Sequence, residues 1–111
     1  MGIENLSEDI IFVDLDREPE MCNLLKEVIE LLHQRRNLDV ILDFARIDII
    51  TSPSLSRLLK LRRQLADAGH RLIFCDVNSF TRGAFKVTGL DGIFEIVEDK
   101  LTATSVLHSV A

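Results

Sequence analysis

Apolar residues along this chain alternate between two rhythms. Residues 10–15 (IIFVDL), 40–44 (VILDF) and 71–77 (RLIFCDV) are short, nearly continuous apolar runs. Runs of that length suit strands covered on both faces, as in a parallel sheet. Between them, apolar positions recur every three or four residues. Met21, Leu24, Leu25, Val28, Leu31 and Leu32 form one helical stripe, with Lys26, Glu30 and His33 on the opposite side. Leu55, Leu58, Leu59, Leu65 and Ala66 form a second.

The punctuation agrees with these rhythms. Asp16-Arg17-Glu18-Pro19 breaks the first run, and Pro19 between Glu18 and Glu20 suits a helix start. Gly69 falls where a helix C-cap is expected. Asn78-Ser79 caps a shorter helix through Val87, which Thr88-Gly89 ends, with Gly89 expected in the left-handed conformation. Gly83 inside that helix costs up to about 1 kcal/mol relative to alanine. Residues 93–97 read as a last short strand and residues 101–110 as a terminal helix capped by Asp99. Residues 1–9 suit an edge strand or a loosely held arm.

Strand and helix thus alternate four times, which implies right-handed βαβ units with helices laid on a sheet. No repeat, low-complexity segment or linker interrupts the order. Residues 1–111 read as a single α/β domain. The pattern alone does not separate a small mixed sheet from a flavodoxin-like one.

Residues 39–59 (DVILDFARIDIITSPSLSRLL) organise the rest. A buried strand runs through Ile47, Ile49 and Ile50 into the turn Thr51-Ser52-Pro53-Ser54, and a helix opens there. Ser52 suits the N-cap and Pro53 the first helical position, where its missing N–H costs nothing. Such a turn points N–H groups outward and favours an anion, a phosphate included.

Composition narrows the function. A chain of 111 residues with 47% apolar content fills one ordinary core. No apolar run approaches the roughly 18 residues of a membrane span, and MGIENLSEDI has no signal-peptide pattern, so a cytoplasmic protein is expected. Cys22 and Cys75 lie within apolar patterns and read as buried, poorly reactive thiols. His33, His70 and His108 have no metal-ligand spacing, and no metal or cofactor is implied.

The net charge of −5 argues against nucleic-acid binding. The second helix is a local exception, with Arg57, Lys60, Arg62 and Arg63 against Asp67. A solvated face explains that strip most simply, and a partner-facing strip is the sharper reading. Arg62 falls inside the apolar stripe, where its stem would lie along the core edge with its head reaching water. Phe80 and Phe85 read as core, and either would mark an interface if exposed. The chain has no GxGxxG, Walker lysine loop, CxxC or HExxH, and no histidine is indicated at the turn to activate Ser52. An enzyme is not expected, and no catalytic residue is assigned.

The stretch from Asp39 to Val77 resembles the STAS domain found in anti-sigma-factor antagonists and in the tails of sulfate transporters. TGLDGIFEI, Thr88 to Ile96, is similar to that family's closing TGL signature and is the more specific match. The resemblance covers nearly the whole chain. It implies a small mixed sheet with helices packed mainly on one face. It also implies a phosphoacceptor serine in an Asp-Ser-Ser-Gly-Leu turn, which falls on Ser52, with Thr51 and Ser54 ranking behind. Here Thr51 stands where the family has its acidic residue, Pro53 replaces the second serine, and Ser54 replaces the glycine.

The function so implied is that of an anti-sigma-factor antagonist. It would bind an anti-sigma kinase while unphosphorylated, be weakened by phosphate, and be reset by a phosphatase. The contact surface would comprise Thr51, Ser52, Pro53, Ser54, Ser56, Arg57, Lys60, Asn78 and Ser79. A homodimer is compatible with the sequence. The alternative is a non-phosphorylated STAS binding subunit of an ABC-type lipid transporter or of a larger signalling assembly.

Overall fold

A computed structural model describes residues 2–108. Among these the strands are β1 (Ile3–Asn5), β2 (Ile10–Asp14), β3 (Asp39–Asp43), β4 (Leu72–Cys75) and β5 (Glu95–Ile96). The helices are α1 (Glu20–Gln34), α2 (Ser52–Asp67), α3 (Ser79–Val87) and α4 (Lys100–His108). The last part of the expected terminal helix, residues 109–110, lies outside the described residues.

The strands lie side by side in chain order, β1-β2-β3-β4-β5. β1 pairs antiparallel with β2 as an edge strand, and every later pair is parallel. Sequential order separates this sheet from a flavodoxin-like one, whose first two strands exchange places.

The solid apolar runs are explained by burial on both faces. Ile11, Val13, Val40, Leu42, Leu72 and Phe74 point to a large core shared with α1, α2 and α3. The alternate residues Ile10, Phe12, Ile41, Ile73 and Cys75 face a smaller core closed by Ala103 and Leu107 of α4. Three helices on one face and one on the other is the mixed-sheet arrangement expected.

Within the large core Phe44 and Phe74 stand 4.5 Å apart, and Phe74 and Phe94 are 4.6 Å apart. Phe85 joins them, with its ring 5.7 Å from Phe94.

Helix ends follow local chemistry. Gly69 (φ 78°) and Gly89 (φ 76°) take the left-handed conformation just past α2 and α3. Asn78 Oδ1 accepts the Thr81 N–H at 2.8 Å, and Asp99 Oδ1 accepts the Thr102 N–H at 2.8 Å. The stripe on α2 differs from expectation in detail. Leu58, Leu61 and Leu65 carry the packing, whereas Leu59 and Ala66 are exposed.

Candidate functional site

Because β2, β3 and β4 run parallel, the loops leaving their C-terminal ends gather on one edge of the sheet, where open α/β sheets commonly bind ligands. Those loops are residues 15–19, 44–51 and 76–78.

The first correction concerns the start of α2. Thr51 is extended (φ −76°, ψ 161°) and is the N-cap, its side chain accepting the Ser54 N–H at 3.5 Å. Ser52 is the first helical residue and Pro53 follows it, so the cap sits one residue earlier than expected. The outward row of N–H donors is also thinner than the turn suggested. Pro53 has none, the Ser54 N–H is turned to Thr51, and the Leu55 N–H bonds the Thr51 carbonyl at 2.9 Å.

A carboxylate from another loop completes the turn. Glu18 Oε2 accepts both the Thr51 N–H at 3.0 Å and the Thr51 hydroxyl at 2.9 Å. Partial burial pushes the Glu18 carboxyl up. The nearby Ser54 hydroxyl, both Thr51 donors and the Cys22 N–H together outweigh that and hold it below its ordinary 4.5. Ser54 is fully buried, and its Oγ and Glu18 Oε1 have no partner of standard geometry. The sequence marked Glu18 only as part of a helix start; nothing in it announced a partner 33 residues away.

The three hydroxyls of the turn therefore differ. Thr51 is committed to Glu18, Ser54 is sealed, and Ser52 is exposed to solvent. Ser56 and Lys60 are also exposed, and positions 52, 56 and 60 lie on one face of the helix over about 12 Å.

Arg57 departs from expectation. It is half-buried, and its Nη1 donates to the Cys22 carbonyl at 2.6 Å, clamping α2 to α1. Arg62 is exposed, with Nε donating to the Ile93 carbonyl at 3.0 Å. Two of the four cations of the basic strip thus serve the fold, and Lys60 and Arg63 remain on the surface.

The loop at Asn78-Ser79 is brought against the turn's own strand connection. Asn78 Nδ2 donates to the Ile47 carbonyl at 3.0 Å, and Thr81 Oγ1 donates to the same oxygen at 3.4 Å. Ser79 is exposed beside them.

Next to it lies the residue that pattern reading misplaced. Five of the six phenylalanines are buried, but Phe80 is 74% exposed. With Ile49 (66% exposed), Ile50, Leu55, Ala84 and Leu90 it lines an apolar groove of about 380 Å³. The available signal was position. Phe80 is the second residue of α3, in a first turn at the rim of the sheet, whereas Phe85 lies a turn further in.

One more cluster sits on this edge. Asp43, Cys75 and Asp76 bring ligand atoms within 4.8 Å of one another. Burial first, then the charges of Asp43 and Asp76, push the Cys75 thiol above its ordinary range. Burial likewise pushes the Asp43 carboxyl up, aided by the charges of Asp76 and Asp14. Both cysteines are free thiols; Cys75 is buried, and Cys22 is only half-buried, less sheltered than its sequence context suggested. Among the described residues no helix is long and apolar enough to cross a membrane.

Comparison with known proteins bears on this geometry. The family-wide sequence description of the STAS domain matches residues 15–104. A Bordetella bronchiseptica protein bearing the name anti-sigma factor antagonist BtrV is 29% identical over 70 residues. That match takes in 63% of this chain and 60% of the relative's length.

Among solved structures, the protein TM1081 of Thermotoga maritima superposes with a TM-score of 0.83 at 15% identity, over 97% of this chain and 88% of that one. The Bacillus anti-sigma factor antagonist SpoIIAA in its unphosphorylated form superposes at 0.77 with 14% identity, over 98% of each chain. At such identities the structural likeness speaks for the fold.

Proposed function

This chain belongs to the STAS domain family, and on that footing we propose that it is an anti-sigma-factor antagonist switched by phosphorylation of Ser52. The observation that carries the proposal is the exposed Ser52 hydroxyl at the start of α2, the helix whose Leu55 lines the apolar groove with Ile49 and Phe80. The resemblance to BtrV in sequence and to SpoIIAA in fold supports it.

The partner is an anti-sigma kinase. Its contact surface comprises Thr51, Ser52 and Pro53 of the turn, Ser56 and Lys60 on α2, and Asn78, Ser79 and Phe80 across the groove. Ser54, given to this surface and to the alternative acceptors on sequence grounds, is fully buried and is withdrawn from both. Arg57, given to this surface on sequence grounds, is assigned instead to the clamp on α1. Docking removes the groove from water, with Phe80 and Ile49 its most exposed apolar side chains. A phosphate on Ser52 adds about −1.5 to −2 charges at that rim. Burying such a charge against an apolar surface is costly, so the phosphorylated form binds weakly. A phosphatase returns it to the binding form.

Incubation with a candidate anti-sigma kinase and ATP, followed by peptide mapping, tests the modification. Phosphate on Ser52 is expected, and its absence from the whole of residues 51–56 would overturn the switch. In parallel, Phe80→Ala should weaken binding by about tenfold or more with an unchanged melting temperature.

A second reading has its own observation. The start of α2 offers few free N–H donors to a phosphate, and Glu18 already occupies its flank. That favours a constitutive STAS binding subunit, such as the partner of a lipid-transporting ABC ATPase. Protein isolated from its own cells with no phosphate on residues 51–56 would select it.

A further inference from the structure

Glu18 stands between two helix starts. Its carboxylate takes the main-chain and side-chain donors of Thr51 at the cap of α2, while its own backbone lies in the loop that opens α1. Pro19, the next residue, is the N-cap of α1. Among the described residues no lysine or arginine forms an ion pair with it. The charge is supported by N–H and O–H donors and by the positive ends of two helices.

Ser52 follows Thr51 directly, so its Cα lies about 3.8 Å from that of the residue Glu18 holds. A phosphate on Ser52 would stand within about one Debye length, ~10 Å at 0.1 M salt, of the Glu18 carboxylate. Two anions would then compete for one helix terminus.

We propose that Glu18 is a charge latch: it fastens Thr51 while Ser52 is unmodified, and a phosphate on Ser52 releases it. The latch rests on the proposed modification of Ser52 and gives that modification a structural consequence. The effect passes from the start of α2 to the loop before α1, because the carboxylate that holds Thr51 belongs to that loop. Thr51, with its hydroxyl given to Glu18, is withheld as an acceptor until the latch opens.

The test uses phosphoserine inserted at position 52 during translation, so no kinase is needed. Hydrogen exchange of the Thr51 amide, read by NMR, reports the latch. In the unmodified chain this amide is protected. Phosphoserine should speed its exchange about tenfold, the scale expected for like charges several ångströms apart near a surface. In the Glu18→Gln chain, which keeps an acceptor but no charge, the phosphate should change exchange far less. Unchanged exchange on phosphorylation, or equal acceleration with Gln at position 18, would overturn the latch.

Should Glu18→Gln fold poorly, salt replaces it. About 1 M salt shortens the Debye length to ~3 Å and should restore protection in the phosphorylated chain, whereas a salt-independent acceleration would overturn the proposal. Titrating the same phosphoprotein with an anti-sigma kinase separates the two ideas. Unchanged affinity overturns the switch while the exchange data still decide the latch.

Discussion

Thr51 uses every polar group it has: its hydroxyl oxygen receives the Ser54 N–H and donates its proton to Glu18, its N–H goes to Glu18, and its carbonyl takes the Leu55 N–H. Ser52, next to it, uses its hydroxyl for none of these bonds and faces water. The two therefore respond oppositely to truncation. Thr51→Ala removes a cap and a link to Glu18 and should cost about 1–2 kcal/mol in urea unfolding. Ser52→Ala should cost less than about 0.5 kcal/mol. Equal losses would mean that Ser52 is the cap after all.

Glu18 adds a pH dependence. Its folded carboxyl lies below the ordinary 4.5, so its contribution is fully present above that value and is lost as pH falls through the folded one. Glu18→Gln should be less stable than the parent at pH 7, with the difference closing toward pH 3. A difference that stays constant across that range would contradict the account.

At the scale of elements, α3 carries two glycines with opposite duties. Gly83 lies inside the helix, exposed, and a methyl group there would meet nothing within 4 Å. Gly83→Ala should raise stability by up to about 1 kcal/mol. Gly89 also has open space, but its φ of 76° is one that alanine resists, so Gly89→Ala should lower stability by about 1 kcal/mol. Thermal unfolding of the two variants distinguishes backbone conformation from steric room, because room is equal at both.

The sequence made these elements legible because each rests on near neighbours. Continuous apolar runs marked β2, β3 and β4, a seven-residue rhythm marked α1, and Gly69 and Gly89 marked two helix ends. The start of α2 was off by one residue. Thr and Ser both cap well, and only the extended backbone at Thr51 decides between them. On α2, spacing named the stripe but not the fate of Arg57. Its guanidinium reaches a carbonyl 35 residues back along the chain, which no local pattern records.

The molecule as a whole puts its exposed chemistry on one edge. Parallel strands deliver Glu18, Thr51 and Asn78 from three successive loops, and the register of β2, β3 and β4 makes them neighbours. That convergence is tertiary, so the family resemblance pointed to Ser52, while local pattern pointed to neither Glu18 nor the Phe80 groove. Phe80, the one exposed phenylalanine beside five buried ones, is the residue on which the proposed docking surface turns.

The central claim, that a phosphate on Ser52 switches this surface off, is tested most directly by one calorimetric titration. An anti-sigma kinase would be titrated with the chain carrying serine, and then phosphoserine, at position 52. The account predicts that phosphoserine raises Kd by about tenfold or more, a loss of about 1.4 kcal/mol. Equal affinities for the two forms would contradict it.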